Sequence, residues 1–359
     1  MTGSRLNDRE VPPGLVAASR PAPALRSAGS TMSRLLRQRA VRLAVAAWCL
    51  VNVLVLALTD DPLPFDWPAL PPGSAVDRVA DTNIAMLEVL LLMVVVCALT
   101  RRRRPDVAAR APKRSTARRE TVLLLGYGAL GLLGGALVAR AFGWHPFGWH
   151  LAGTLYGTHE HVAAAEAIGW AGYNLIVYAL IPLALFRRRY PAVALNLRST
   201  DRRNDLLVIV VVLLIESAVQ LIALRAAIFD LTPRQLALGV PLTFGLYLAG
   251  AVLPAMIFIY AILVPRYLRL TGSTAATVVL GGLTYSAAHA WDAWTVFGSV
   301  GGAALSVAFL LLTYTGPGMI KTLLTLRTGN AWVHVWAYHA LAPHTLVDTP
   351  HLVEALHIR

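Results

Sequence analysis

The chain is poor in charge and in cysteine. Of its 359 residues only 14% are Asp, Glu, Lys or Arg, too few to cover a soluble protein of this length. Its two cysteines, Cys49 and Cys97, both fall in apolar runs. They form neither a disulfide framework nor a CxxC pair, and read as small core residues. A soluble domain, a glycine-rich phosphate loop and an internal repeat are also lacking. Acidic residues are scarcer than basic ones, 19 against 32, for a net charge of +13. In a soluble protein that excess would raise nucleic acid as a partner. Here the basic residues cluster just outside the apolar runs, which points instead to positive-inside topology and contact with anionic lipid, with no nucleic-acid partner.

What is abundant is hydrocarbon. Hydrophobic residues make up 57% of the chain and the mean hydropathy is +0.59. Runs long enough to cross about 30 Å of hydrocarbon number about nine, which predicts an all-α, polytopic integral membrane bundle. The expected spans lie at about 43–58, 84–99, 121–142, 163–186, 206–229, 238–264, 275–297, 300–314 and from 331 onward. Residues 1–40 read as a basic tail without periodicity; Met32, opening MSRLLRQRAVRL, is an alternative start. Residues 41–160 hold the first three spans, 161–348 the core, and 349–359 a C-terminal tail. The Pro-rich segment between spans one and two carries Phe65 and Trp67, suited to an interface. RRRRPDVAARAPKRSTARR, LNLRSTDRRND, VPRYLRLTG and GPGMIKTLLTLRTGN fall alternately between spans. They predict a plasma-membrane protein with a cytoplasmic amino end and an outer carboxyl end.

Ionisable groups inside such spans are expensive and face a bundle interior or a cavity, so they are functional candidates. His289 and His339 are two. Tyr285, His289 and Asp292 are spaced i, i+4, i+7 and share one face of an expected helix, where Asp292 would orient the imidazole. Trp332, Trp336 and His339 share another face, and His334, five residues before His339, is expected to point away from it. A His pair on neighbouring helices would bind a divalent metal or hold a nucleophilic water; the alternative is hydrogen-bonded packing between helices. Glu216 lies about 16 Å along its span from Asp205, near the mid-plane, and must be protonated, partnered or functional. Between spans three and four lie His145, His150, His159 and His161, with Glu160 and Glu166. They suit either a transition-metal site or an interface. His344, His351 and His357 read as part of a solvated tail.

Three stretches carry a family resemblance. YSAAH, ending at His289, looks like an aromatic-x-x-x-His motif on an apolar helix. The run from Gly318 through LRTGN to WVHVWAYHALAP looks like a glycine-rich segment, a turn, and a helix bearing the last motif histidine. ILVPRYLRLTG looks like the stretch after a first motif. Residues 253–348 thus resemble the CPBP (CAAX protease and bacteriocin-processing, or Abi) intramembrane metalloproteases. The resemblance implies a CPBP-like helical core, peptide-bond hydrolysis in membrane-associated or prenylated proteins, and zinc or another divalent cofactor. It implies that His289 and His339 are catalytic or metal-binding. The chain departs from the family where Ala255, Met256 and Tyr260 stand in place of its Glu-Glu-x-x-x-Arg motif, and where Pro343 stands in place of an Asn-like residue. Glu216, at similar depth to Ala255, would rebuild a one-Glu, two-His site. A non-catalytic scaffold of the same fold is the main alternative. A small-solute transporter is the weaker one, because paired broken helices are little in evidence beyond Pro241 and Pro254.

Overall fold

The computed structural model describes residues 38–59, 74–103, 105–152, 162–223 and 227–359. Phe65, Trp67, His159, Glu160, His161 and the tail before residue 38 lie outside the described residues. Every regular element among the described residues is helical: α1 (Arg39–Leu58), α2 (Ala75–Leu99), α3 (Arg114–Ala141), α4 (Ala164–Arg187), α5 (Arg202–Ala223), α6 (Pro233–Thr271), α7 (Thr274–Ala288), α8 (Val300–Thr328) and α9 (332–355), with two short 3₁₀ turns. The expected all-α membrane bundle is therefore what the chain forms.

Seven of these helices are long and apolar enough to cross a membrane: α1 to α6 and α8. Of the remaining two expected spans, α7 has 15 residues, a rise of about 22 Å, and stops at Ala288. Asp292 therefore falls in a turn, its N–H donating to the His289 carbonyl at 3.0 Å, and not on the helical face expected for it. The other, α9, continues to Ala355, so the expected C-terminal tail is largely helical.

Helix α8 corrects a further boundary. GPGMIKTLLTLRTGN was expected as a loop, yet its first thirteen residues, Gly316 to Thr328, are the second half of a continuous 29-residue helix. Pro317 lies inside this helix, which approaches α7 closely at its glycines. A side chain at Gly318 would come within 2.8 Å of the Gly282 backbone. The helix stops where Gly329 takes φ +64°, a conformation glycine adopts without a Cβ clash.

The bundle is layered by burial. In α1 only 6% of the apolar window is buried, and Leu43, Leu50 and Val53 face outward. In α6 the figure is 83%, with α3, α4, α7, α8 and α9 packed against it. Four segments around this centre have π-helical winding: Leu175–Leu180 in α4, Leu248–Val252 and Met256–Leu263 in α6, and Val335–Val347 in α9. Such i→i+5 turns are rare and collect at functional sites.

The end of the bundle bearing the arginine-rich loops is pinned by side-chain bonds between distant segments. Asp205 accepts from Arg103, Ser199 and Asn330. Arg110 bonds Asn196 and the Gly329 carbonyl. Nearby, Arg266 of α6 is 1% exposed and pairs with Glu120 of α3 at 2.7 Å, packed against the rings of Phe186 and Tyr190. Removing one member strands the other charge in the interior. Glu120→Ala is expected to cost about 3 kcal/mol of stability. A thermal melt of detergent-purified protein should move down accordingly, and a melt unchanged from wild type would contradict the assignment.

Candidate functional site

Four elements converge at the centre of the bundle: the end of α7, the π-wound part of α9, the middle of α8, and the loop between α3 and α4. That loop folds inward. Phe147, Trp149, His150 and Leu151 are all buried, and the Gly148 carbonyl accepts from Trp170 Nε1 and Asn174 Nδ2, both at 2.8 Å. A Cβ on Gly148 would lie 3.0 Å from the Trp291 backbone, closer than ordinary contact, so a side chain there would push on that turn. The result is to drive His150 into the bundle.

On α9 the winding decides which side chains meet. In an α-helix residues five apart diverge; the wider i→i+5 turn stacks them. His334, His339 and His344 thus form one column, with ring centroids 5.8 Å and 5.1 Å apart. This overturns the expectation that His334 points away from His339, and it brings His344, expected in a solvated tail, into the core at 3% exposure. His150 joins the column edge-on, 5.2 Å from His344 and 5.4 Å from His289.

Hydrogen bonds fix the tautomers. His289 Nδ1 lies 2.8 Å from the Tyr285 carbonyl, which can only accept, so the lone pair is on Nε2, which is buried with no partner. His344 Nδ1 lies 2.8 Å from Asp348 Oδ2, leaving Nε2 likewise unpartnered. His150 Nδ1 lies 3.2 Å from the Tyr314 hydroxyl, which itself donates to Asp292 Oδ2. Asp292 therefore orients His150 through Tyr314, and not His289 as its spacing suggested. Tyr314 stacks on His289 at 3.7 Å between centroids. Burial lowers the pKa of His150 to about 3, so the imidazole is neutral and free to act as a ligand.

Among the described residues one group of three offers ligand atoms close enough for a single metal: His150, His344 and Asp348, all buried, with the three atoms within 4.8 Å of one another. Ligand atoms around a tetrahedral zinc sit about 3.4 Å apart, so binding calls for a contraction of the loop and α9 of roughly an ångström. The expected set was different. Glu216, His289 and His339 do not gather around one point, for visible reasons. Glu216 Oε1 accepts from Gln220 at 2.8 Å, and its carboxyl lies against that of Glu88 on α2. His339 Nε2 is bonded to the Tyr285 hydroxyl at 3.0 Å. His289 stays at the site's edge, beside His150.

In the α3–α4 loop, His145 does not join His150 in a metal site. Its backbone N–H donates to Glu166, and its ring Nδ1 lies 2.8 Å from the same carboxylate oxygen. Sequence reasoning passed over His344 and Asp348. The signal that could have found them is the spacing of His334, His339 and His344 at five-residue intervals through an apolar run.

No family model, curated protein or solved structure matches the chain.

Gly148→Ala tests how the loop seats His150. The added methyl is expected to cost about 1–3 kcal/mol by overpacking against Trp291 and to lower affinity for divalent metal. A variant with wild-type melting and wild-type metal content would show that the loop seat is not needed.

Proposed function

We propose that this protein is a metal-dependent intramembrane hydrolase acting on peptide bonds of membrane-embedded substrates. The observation carrying this reading is the convergence of His150, His344 and Asp348 on one buried point within a membrane-spanning bundle. Two imidazoles and a carboxylate, with one position left open, are the donor set of a catalytic zinc. A divalent ion held there supplies Lewis acidity to a substrate carbonyl and to water. The donor set fits such an ion on the chain's own chemistry, because two imidazoles and a carboxylate are gathered there in the buried interior and no hydrogen bond engages Asp348 Oδ1.

The roles of the other side chains follow from their bonds. Asp348 Oδ2 lies 2.8 Å from His344 Nδ1, and an ion held by both residues would take the place of that hydrogen bond. Asp292 orients His150 through Tyr314. His289 presents an unpartnered Nε2 beside His150, and with its proton fixed on Nδ1 it is the group suited to accept a proton from water. This replaces the carboxylates missing at Ala255 and Met256. The resemblance of residues 253–348 to the CPBP metalloproteases supports peptide hydrolysis over other acyl transfers. The arginine-rich loops support a plasma-membrane orientation with that end in the cytoplasm, against anionic lipid.

The missing Glu-Glu-x-x-x-Arg motif favours a second reading, a scaffold of the same fold with no catalysis. Metal content separates the two. Detergent-purified protein, stripped and reloaded with zinc, is expected to retain about one ion per chain. His150→Ala, His344→Ala and Asp348→Ala are expected to lose it, while His289→Ala keeps it. In proteoliposomes containing extracted membrane proteins, wild type should generate new peptide amino termini, and His289→Ala should cut at a rate lower by about 100-fold or more. Zinc that fails to bind the wild type would leave the scaffold reading. Zinc bound without new termini would exclude peptide hydrolysis.

A further inference from the structure

The part of the histidine column that the triad does not use carries an electrostatic imbalance of its own. Lys321, on α8, is 1% exposed. Its Nζ sits 3.7 Å from the centre of the Tyr285 ring and 5.7 Å from that of Tyr338. Ring faces attract an ammonium but do not neutralise it. Among the described residues no carboxylate lies within 4.0 Å of it. Glu216, the acid whose field reaches it, accepts from Gln220 through Oε1 and keeps Oε2 unpartnered, but lies more than 4.0 Å from the ammonium nitrogen. A lysine buried in this way keeps its ammonium proton only where an anion is brought to it.

The neighbouring groups add donors and no charge. His334 and Tyr260 are fully buried, their rings 4.2 Å apart, and both His334 nitrogens and the Tyr260 hydroxyl lack partners. His339 Nδ1 is unpartnered as well. When the Tyr285 hydroxyl donates to His339 Nε2, the Nδ1–H of His339 is left facing no acceptor. The field of Lys321 acts on both His334 and His339. Water can satisfy the hydrogen bonds of such groups, but it does not balance the charge. A cation is disfavoured beside the ammonium, and neither His334 nor His339 belongs to the metal-competent triad.

We infer that Lys321, His334, His339 and Tyr260 form a buried anion site that takes a carboxylate. One negative charge matches the single ammonium, and two oxygens with four lone-pair positions match donors arriving from α6, α8 and α9. The carboxylate has two available sources: a free acid entering from solvent, or the end of an acyl or peptide chain lying in the membrane. The site does not depend on the proposed metal centre, although the two lie one π turn apart along α9.

The test uses the full chain, purified in detergent and stripped of metal with a chelator. Equilibrium binding of radiolabelled formate and radiolabelled decanoate is measured separately, with decanol as the uncharged competitor. Saturable binding of about one carboxylate per chain, undisturbed by decanol, is expected. Lys321→Met should weaken it by about tenfold or more, and Tyr260→Phe by severalfold. Binding of formate identifies the free acid as sufficient; binding of decanoate alone identifies the chain-borne group. Absence of saturable binding of either acid would overturn the site, as would wild-type affinity in Lys321→Met. If Lys321→Met fails to fold, Tyr260→Phe and His334→Phe carry the comparison, and unchanged affinity in both would overturn it. Because metal is absent throughout, the outcome is independent of whether the triad binds zinc.

Discussion

The architecture of the site depends on the pitch of one helix. Between Val335 and Val347 the backbone bonds i→i+5, and that wider turn puts His334, His339 and His344 on a single face. With α-helical pitch the three imidazoles would spread around the axis, and at most one would meet His150. The loop between α3 and α4 and the turn after α7 matter because they deliver His150 and His289 to this column. Other π-wound segments lie alongside, in α4 and α6. Widened turns are costly to maintain, and their clustering here fits a bundle shaped around a site rather than for packing alone.

The second feature of the centre is its inventory of buried polar atoms without partners. They include nitrogens of His289, His334, His339 and His344, oxygens of Asp292 and Asp348, and the Tyr260 hydroxyl. Native interiors leave few such atoms, and in a membrane the surroundings offer them nothing. Their distribution is uneven. Around His344 and Asp348 the free atoms include lone pairs suited to a cation, whereas around Lys321 and Tyr260 they include donors suited to an anion. The bundle therefore presents opposite polarities at successive positions along α9, held apart by the Tyr285–His339 hydrogen bond.

The architecture was legible in the sequence because hydrocarbon thickness sets a length that apolar runs either meet or miss. Seven helices meet it. Boundaries were less legible: GPGMIKTLLTLRTGN was expected as a segment between spans, but Gly316 and Gly318 let α8 continue against its neighbours. His289 was visible as an ionisable group in an apolar segment, and the structure puts it beside His150. His344, Asp348 and Lys321 were hidden for one shared reason, that each lay in a stretch whose polarity suggested solvent. His150 was visible as a metal candidate, but nothing in WHPFGWH shows that the loop turns inward; that depends on contacts from Trp170 and Asn174, which are distant in sequence. Glu216 drew notice for its depth, but depth alone did not reveal Glu88 beside it.

The central claim is that His150 and His344 reach the same ion. The zinc X-ray absorption spectrum of the reloaded protein tests it most directly. Nitrogen and oxygen scatterers at about 2.0–2.1 Å, with the outer-shell features of two imidazoles, are the predicted result. A spectrum with only water-like oxygen neighbours and no imidazole signature would contradict it.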